Sequence, residues 1–542
     1  SYSVTGVQTC ALPIWRTIEP WQIARPGGAL SPQRLVASDL APEATVTVAV
    51  AAVDAAGNRS AEAKATGMTS AALSVPPLPA SPWTAKAGGP AMVSDRVSVW
   101  AFPEVDKVEP TTGRLLFAED ADAAAYAQAN GVWSGADKTI RVAAARNEIV
   151  AFQLALRTAG GPVEGQLTFS DLTGPDGGAI GKDRVRLWRV WYVKEGGAWQ
   201  GEYAVPAPDG RFALPAADNG VEGQVLAAYY VDVLIPKAVK PGDYKGQVTV
   251  ATPDGSAKVT LTVAVYPAVI PDELNFNPEL NCYGGPARAG SREFFDYHAL
   301  AHYHRCTLNR LPYSQNGLPH DDMVPEIAGQ GASMRVADWA PFDRAVGPLL
   351  DGTAFADNPR SGVPVRTFYT TFMDNWPLTQ KDHYALGAIH TPEVTKVTGM
   401  EGESFPGAIP AEARANEQTM AQRKHKHDLT APPIEKAFDA AYAMGTISMV
   451  DQYVRHFQEK GWTRTQAQIY LNNKYTWGGT WWVLDEPMEW TDFDALAFFG
   501  RIYKQGMARQ TETRFAYRGD ISRPEWQGGD RKSTRLKSSH RI

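Results

Sequence analysis

Two adjacent acids, Asp485 and Glu486, are the residues of this chain best suited to catalysis. They end the apolar run Trp481–Leu484, and the following Pro487 disfavours helical backbone at Glu486. Neighbouring carboxylates raise one another's pKa, so one can stay protonated as a general acid while the other is ionised. Side chains alternate between the faces of a regular strand, so both acids can enter one pocket only if the strand ends at Asp485. The alternative is a helix-capping Asp485 beside a surface Glu486.

Tryptophans cluster around these acids, and polar residues follow other predicted strands. The C–H faces of sugar rings stack on flat aromatic walls, so this combination is typical of enzymes that cleave glycosidic bonds. The alternative for each tryptophan is a place in the core. Candidate substrate contacts are Trp481, Trp482 and Trp490 near the acids, with Asn473, Lys474, Asn309, Tyr313, Asp374 and Trp376 after strands.

Metal and cofactor chemistry has little support in the sequence. His298 and His302 have the i, i+4 spacing of a helical metal pair, but neither the metalloprotease acid nor a further ligand accompanies them. No glycine-rich phosphate loop or G-x-S-x-G motif follows a strand. We therefore expect no metal and no cofactor. Cys282 and Cys306 form either one disulfide or two buried thiols.

Composition and charge limit the classes of binding partner that the chain is expected to have. The 542 residues include 53 basic and 59 acidic side chains, a net charge of −6. Nothing in this balance favours nucleic acid or an anionic membrane surface. No apolar run reaches the roughly 18 residues of a membrane span. The hydrophobic content of 44% is that of a folded protein.

The two ends of the chain resemble translated sequencing-adaptor reads. These stretches are residues 3–14, SVTGVQTCALPI, and residues 530–542, DRKSTRLKSSHRI. We therefore set residues 1–14 and 530–542 aside as artefacts. Any signal peptide would then be out of view.

The first half of the remaining chain is predicted to be β-rich. Residues 15–75 end in a strand, Val46–Val53, a polar turn and a second strand, which resembles the last hairpin of a fibronectin type III module. Residues 76–95 are rich in Pro and Gly and predict a stiff linker. Residues 96–270 contain short strands at the spacing of an antiparallel β-sandwich, including the hairpin GQVTVATPDGSAKVTLTV.

Residues 271–529 alternate strands with helices, which predicts a (β/α) TIM-like barrel. We count five or six strands where a barrel closes with eight, so the barrel is expected to be truncated at its C-terminal side. Residues 317–362 and 378–432 are predicted loop insertions. The predicted helices are Phe294–Arg305, Phe438–Lys460 and Asp492–Met507, and the predicted strands are LNCYGG, TLNRLPYS, RTFYTTFMDNW, AQIYLNN, WWVLDEP and RFAYRGD.

Residues 96–529 resemble glycoside hydrolase family 123, the β-N-acetylgalactosaminidases. The sandwich portion is similar through ARNEIVAFQLAL and AAYYVDVLIPKAVKPGDYKGQVTV, and the barrel portion through HRCTLNRLPYS, IYLNNK and LDEP. The resemblance implies substrate-assisted, retaining hydrolysis, in which the 2-acetamido group of the sugar is the internal nucleophile. Asp485 would then orient and charge-stabilise that group, and Glu486 would be the acid and base. Tyr313 is the guess for the family's tyrosine donor to the acetamido group.

Two other functions stay open. In one, the chain is a different retaining glycosidase with a separate carboxylate nucleophile on a strand that the chain lacks. In the other, it is a non-catalytic glycan-binding or cell-surface assembly protein. All three imply a glycan partner, and we expect a secreted, periplasmic or cell-surface bacterial protein.

Overall fold

The computed structural model describes residues 2–9, 14–18, 40–52, 58–71, 83–116, 122–285, 287–314, 319–383, 438–473, 482–485, 487 and 490–519. The chain divides into two compact units. One is Pro77–Asp272, and the other combines Ser1–Pro76 with Glu273–Ile542.

A four-stranded antiparallel sheet lies in residues 1–76. The predicted hairpin at its edge is confirmed, since β3 pairs with β4. The order is β2-β1-β3-β4, so the set-aside residues 1–14 include a strand; their origin as an artefact stays a prediction. The strands are β1 (Tyr2–Thr9), β2 (Ile14–Ile18), β3 (Thr45–Ala52) and β4 (Ala63–Met68).

The described residues of the second unit include fourteen strands and one short α-helix, α1 (Ala123–Gln128). The strands are β5 (Ala91–Met92), β6 (Val97–Phe102), β7 (Trp133–Ser134), β8 (Thr139–Arg146), β9 (Ile149–Thr158), β10 (Val163–Phe169), β11 (Leu172–Thr173), β12 (Ala179–Ile180), β13 (Val185–Glu195), β14 (Ala198–Pro206), β15 (Arg211–Leu214), β16 (Leu226–Leu234), β17 (Gly242–Thr252) and β18 (Gly255–Val269).

These strands form two sheets that share one hydrophobic core. The six-stranded sheet has the order β14-β13-β16-β9-β6-β5. The eight-stranded sheet follows β12-β11-β17-β18-β8-β7, with β10 paired to β17 and β15 paired to β10. Phe152 and Leu154 from the first sheet and Val248 and Leu261 from the second are fully or almost fully buried in the same cluster. The predicted hairpin is present as β17 and β18, joined at Thr252 and Gly255.

Two features of this unit differ from the sequence prediction. First, β18 pairs with β8 in parallel, so the sandwich is not purely antiparallel. Second, the predicted linker 76–95 is shorter, because its C-terminal part is bonded to the sandwich. The Lys138 ammonium group donates to the carbonyls of Gly88, Gly89 and Pro90 at 3.0–3.1 Å.

The described residues after Asp272 contain five parallel strands alternating with four α-helices. β19 pairs with β20, and β23, β24 and β25 form a three-stranded sheet in that order. A short antiparallel hairpin, β21–β22, lies between. The elements are β19 (Glu279–Cys282), α2 (Arg292–Tyr303), β20 (Thr307–Arg310), β21 (Glu326–Ala328), β22 (Arg335–Asp338), α3 (Ala340–Asp351), β23 (Thr367–Tyr369), α4 (Ala440–Glu459), β24 (Gln466–Tyr470), α5 (Trp490–Gly506) and β25 (Arg514–Arg518).

The alternation of strands and helices matches the prediction, but a closed barrel is not found. The part of the chain that the structure describes has its five parallel strands in two separate sheets, so the barrel stays a hypothesis. The predicted insertion 317–362 was wrong in part, because it contains α3. Phe342, Val346 and Leu350 on one face of α3 are buried in the core, and this burial stabilises the helix. Residues 384–432 of the second predicted insertion lie outside the described residues.

The predicted strand at WWVLDEP was also wrong for the residues described. Trp482–Asp485 is irregular backbone, because the amides of Leu484 and Asp485 both donate to the Asn473 carbonyl instead of a strand ladder. The Val483 amide donates to the Asp492 carboxylate at 2.9 Å.

Cys282 and Cys306 are free thiols. Among the described residues, the helices are too short or too polar to cross a membrane.

Candidate active site

Polar residues gather where the parallel strands end. Tyr283 follows β19, Asp374 lies in the turn after β23, and Asn472 and Asn473 follow β24. In parallel β/α folds, the carboxyl ends of the strands share one edge, and catalytic residues are placed there. The hydrogen bonds described below bring these residues and Asp485 together.

Asp485 is held from two sides. The Tyr470 hydroxyl, at the end of β24, donates to Oδ1 of Asp485 at 2.8 Å. On the backbone side, the amides of Leu484 and Asp485 donate to the Asn473 carbonyl at 2.7 and 3.3 Å. The Asp485 residue is half-buried. A hydroxyl that donates to a carboxylate stabilises its ionised form, so this environment favours a charged Asp485.

Asp374 is a fully buried carboxyl group next to this segment. The side-chain amide of Asn473 donates to both of its oxygens, at 2.7 and 2.8 Å. The Gln380 amide donates to one of the same oxygens, and the Tyr442 hydroxyl donates to the Asp374 carbonyl. A buried charge is costly unless it is hydrogen-bonded, and the Asn473 and Gln380 side-chain amides supply such bonds to the carboxylate.

A polar layer connects β19 with the three-stranded sheet. The Glu279 carboxylate accepts bonds from Tyr369, Gln468 and Arg518, each at 3.0 Å. The Arg518 guanidinium also lies 5.4 Å from the centre of the Tyr470 ring, a cation–π distance.

Burial and neighbouring charges in this layer shift the pKa values of Arg518 and Tyr369. Burial alone would lower the pKa of Arg518, but Tyr369 and Glu279 beside it raise the pKa above its ordinary value. The pKa of Tyr369 is also raised, chiefly by burial and despite the nearby guanidinium. The layer therefore keeps a positive charge beneath the Tyr470 ring.

Two amide oxygens at the strand ends are buried acceptors without a described donor. Oδ1 of Asn472 and Oδ1 of Asn473 are buried and have no hydrogen-bond partner among the described residues. The Asn472 amide donates to the hydroxyl of the partly exposed Tyr283 at 2.9 Å. A buried acceptor without a partner costs about 1–3 kcal/mol, so a hydroxyl or amide N–H of a bound molecule is stabilising there.

The structure brings together three of the predicted site residues, Asp485, Asn473 and Asp374. Glu486, Trp481 and Lys474 lie outside the described residues. Trp490 is the first residue of α5, and its side chain is likewise not described.

Four other predicted contacts occupy different surroundings from those expected. The fully buried Trp482 packs beside Phe438 in the core, with ring centres 5.8 Å apart, and Trp376 is buried beside Phe372. Buried indoles in the core present no face for a sugar, so here the core alternative is correct for both.

Tyr313 and Asn309 are held by protein partners. The fully buried Tyr313 hydroxyl donates to the Tyr470 carbonyl at 2.8 Å, so it is not free to donate to an acetamido group. Burial raises its pKa well above the ordinary value. The Asn309 amide donates to Asn281 at 3.1 Å. Both side chains support the strand ends from within.

Sequence reasoning missed Tyr470, Glu279 and Arg518. Each has a signal that could have been read: polar residues at alternate positions of short strands, as in Gln468 and Tyr470, predict one polar face. Their partners are far apart in sequence, since Glu279 and Arg518 are 239 residues apart.

The histidine pair on α2 is structural. His298 bonds to the Phe294 carbonyl at 2.8 Å, and His302 bonds to the Val363 carbonyl at 3.0 Å. Burial lowers the pKa of His298 to about 4, so it is neutral near pH 7. The described residues contain no group of three side chains able to hold a metal ion.

A cavity of about 440 Å³ lies in the sandwich unit, away from these acids in sequence. It opens between β10 of one sheet and β13 of the other, and its wall includes Phe169, Trp188 and Asp209. The Trp188 indole is fixed by a 2.9 Å bond to Asp232. The volume is in the range of small-ligand sites.

Comparison with known proteins gives only distant structural likenesses. No protein-family model matches the chain, and no curated protein matches its sequence. A family 123 glycoside hydrolase from Clostridium perfringens, studied for glycolipid glycan hydrolysis, is 13% identical with a TM-score of 0.39, covering 70% of this chain and 60% of that one. A putative alpha-galactosidase from Bacteroides fragilis is 10% identical with a TM-score of 0.19, covering 70% and 50%. The chain thus spans less than two thirds of the length of either protein.

Proposed function

We propose that the chain is a glycoside hydrolase acting on 2-acetamido-2-deoxy sugars, similar to β-N-acetylgalactosaminidases. The observation that carries this proposal is the placement of Asp485. Its carboxylate is half-buried at the carboxyl end of β24 and accepts a hydrogen bond from Tyr470. The sequence resemblance supports the assignment, since LDEP is one of the motifs that carry it.

In the proposed mechanism, Asp485 and Glu486 have different catalytic roles. Asp485, held charged by Tyr470, orients the acetamido N–H and stabilises the positive charge that develops as the acetamido oxygen attacks the anomeric carbon. Glu486 protonates the leaving oxygen and then removes a proton from the attacking water. Adjacent carboxylates cannot lie on opposite sides of a glycosidic bond as acid and nucleophile, so an internal nucleophile suits this pair.

The surrounding polar groups fit a hydroxylated ligand. Oδ1 of Asn472 and Oδ1 of Asn473 have no hydrogen-bond donor among the described residues, so in this proposal they accept sugar hydroxyls. The Tyr283 hydroxyl is bonded to Asn472. Such acceptors favour a substrate with hydroxyl donors over one without them, because an analogue that lacks the hydroxyl leaves a buried acceptor unpaired.

The substitution Glu486→Gln tests the proposal, with aryl 2-acetamido-2-deoxy-galactosides and -glucosides as substrates. We expect kcat to fall by about a hundredfold or more, because general acid–base catalysis contributes factors of that order. Glu459→Gln, an exposed acid at the end of α4, is the matched control and should leave kcat unchanged. Undiminished hydrolysis by Glu486→Gln would refute the assigned role.

A second test separates the internal nucleophile from a carboxylate nucleophile. A 2-fluoro sugar with a good leaving group traps a covalent glycosyl-enzyme only when a protein carboxylate attacks. The proposal predicts no increase in protein mass after incubation. An adduct on any Asp or Glu would favour the other retaining mechanism.

Glycan binding without hydrolysis is the second candidate function, and the sandwich cavity favours it. Trp188 and Phe169 give the cavity an aromatic wall, which suits the C–H face of a sugar ring. If this function is correct, the unaltered chain hydrolyses no substrate, Trp188→Ala abolishes oligosaccharide binding in isothermal titration, and Glu486→Gln leaves that binding unchanged. Turnover lost in Glu486→Gln and binding unchanged in Trp188→Ala would exclude it.

A further inference from the structure

We propose that Asp374 is a positioning residue for Asp485 and acts through Asn473, without contacting substrate. This inference rests on the proposed function for its catalytic consequence. The positional link itself is independent of any activity.

The first link joins Asp374 to the Asn473 side chain. The Asp374 carboxylate is fully buried and both of its oxygens already accept hydrogen bonds from protein side chains, so we assign it no substrate contact. The side-chain amide of Asn473 bridges both carboxylate oxygens at 2.7 and 2.8 Å, and the Gln380 amide adds a further bond to one of them. Hydrogen bonds to a charged acceptor are about twice as strong as neutral ones, so Asp374 fixes the rotamer and position of Asn473.

The second link joins the Asn473 backbone to the acid segment. Its carbonyl accepts from the amides of Leu484 and Asp485 at 2.7 and 3.3 Å. The described part of this segment has no strand pairing, and these two bonds and the Val483–Asp492 bond are among the contacts that position its backbone. A movement of Asn473 therefore moves the backbone of Asp485.

These contacts hold Asp485 at both its side chain and its backbone. Tyr470 holds the Asp485 carboxylate, and Asn473 holds its backbone. Tyr470 is the last residue of β24 and Asn473 follows it by three residues, so the two contacts come from neighbouring positions of the chain. A catalytic group misplaced by about 1 Å can lose about a hundredfold in rate, so this clamp matters for kcat.

Hydrogen exchange of the full chain tests the link directly. The near-isosteric Asp374→Asn removes the charge and offers Asn473 a weaker acceptor. We expect exchange at the amides of Leu484 and Asp485 to become about tenfold faster or more, while the amide of Ile469 within β24 stays protected. Asp296→Asn, an exposed acid on α2, is the matched control and should change none of these rates.

Gln380→Ala provides a second variant in case Asp374→Asn unfolds. It removes one donor to Asp374 and should accelerate the same two amides to a smaller degree. Unchanged protection of Leu484 and Asp485 in a folded variant would overturn the proposal. Equal acceleration at Ile469 would also overturn it, since that pattern indicates general loosening of the sheet.

Kinetics separate this proposal from the proposed function. If both the positioning role of Asp374 and the proposed function are correct, Asp374→Asn lowers kcat on the acetamido substrates and leaves KM within about twofold, because a positioning residue acts on the transition state. Local acceleration of exchange in a chain that hydrolyses no acetamido sugar would support the link and refute the proposed function. Hydrolysis abolished by Glu486→Gln, together with unchanged hydrogen exchange in Asp374→Asn, would support the proposed function and refute the link between Asp374 and Asp485.

Discussion

The hydroxyl of Tyr470 should contribute directly to transition-state stabilisation, and Tyr470→Phe removes that hydroxyl alone. It donates at 2.8 Å to Oδ1 of Asp485, which the proposed mechanism requires in its charged form. A hydrogen bond to a charged group contributes about 1.5–3 kcal/mol, and each 1.36 kcal/mol is a factor of ten in rate. We therefore expect kcat/KM to fall about tenfold to a hundredfold. The ring keeps its contacts with Arg518 at 5.4 Å and with Tyr369 at 5.9 Å, so the fold should be preserved.

The assay is the pH dependence of kcat/KM on an aryl 2-acetamido-2-deoxy-galactoside. Loss of a donor disfavours the charged carboxylate, so the acid limb of the Tyr470→Phe profile should move to higher pH. Tyr297→Phe, an exposed tyrosine on α2, is the matched control and should reproduce the original profile. An unchanged rate and an unchanged acid limb in Tyr470→Phe would refute this reasoning.

Three further predictions concern stability, each measured by urea unfolding. Burial lowers the pKa of His298 from 6.5 to about 4, so its contribution to the free energy of unfolding is complete above pH 6.5 and declines as the pH falls towards 4. Between pH 7 and 5, the free energy of unfolding of the unaltered chain should fall by about 2 kcal/mol more than that of His298→Gln. Equal decreases would contradict this prediction. Asp322→Ala should cost about 3–5 kcal/mol, because the buried Arg310 guanidinium loses its 2.7 Å partner; a cost below about 1 kcal/mol would show that water replaces the carboxylate. Leu154→Ala in the sandwich core should cost about 2–5 kcal/mol, and a negligible cost would mean that this core is loosely packed.

Local sequence patterns were sufficient for most strands and helices. In Gln466–Tyr470, apolar Ala467 and Ile469 alternate with polar Gln468, and the buried apolar positions stabilise the strand. Helix α4 was predicted at Phe438–Lys460 and is found at Ala440–Glu459, because its apolar residues recur at helical spacing and Asp439 caps its first turn. Such patterns depend only on neighbours in the chain.

Pairings between distant residues could not be read from the sequence. The parallel register of β18 with β8 depends on the path of the whole sandwich, although each strand is predicted correctly by itself. The run Trp482–Leu484 has the composition of a buried strand, but the Asp492 carboxylate takes the Val483 amide and the Asn473 carbonyl takes the next two. Apolar composition predicts burial, and it does not by itself predict a ladder partner.

The same limit applies to the candidate site. Asp485, Asn473 and Asp374 could be found because each follows a strand-like run in a β/α pattern. Sequence reasoning placed Asp485 first, as half of the acid pair, and did not separate the roles of Asn473 and Asp374. The structure separates a half-buried carboxylate, Asp485, from a fully buried one, Asp374, and the substrate-facing and positioning roles that we propose follow this difference in exposure.

The most direct test of the proposed function compares two substrates that differ only at C2. We would measure release of 4-nitrophenol from the 2-acetamido-2-deoxy-β-galactoside and from the plain β-galactoside, for the unaltered chain and for Asp485→Asn. The proposal predicts hydrolysis of the acetamido substrate alone, with its rate reduced about a hundredfold or more in Asp485→Asn. Equal hydrolysis of both substrates, or an acetamido rate indifferent to the loss of the Asp485 charge, would contradict it.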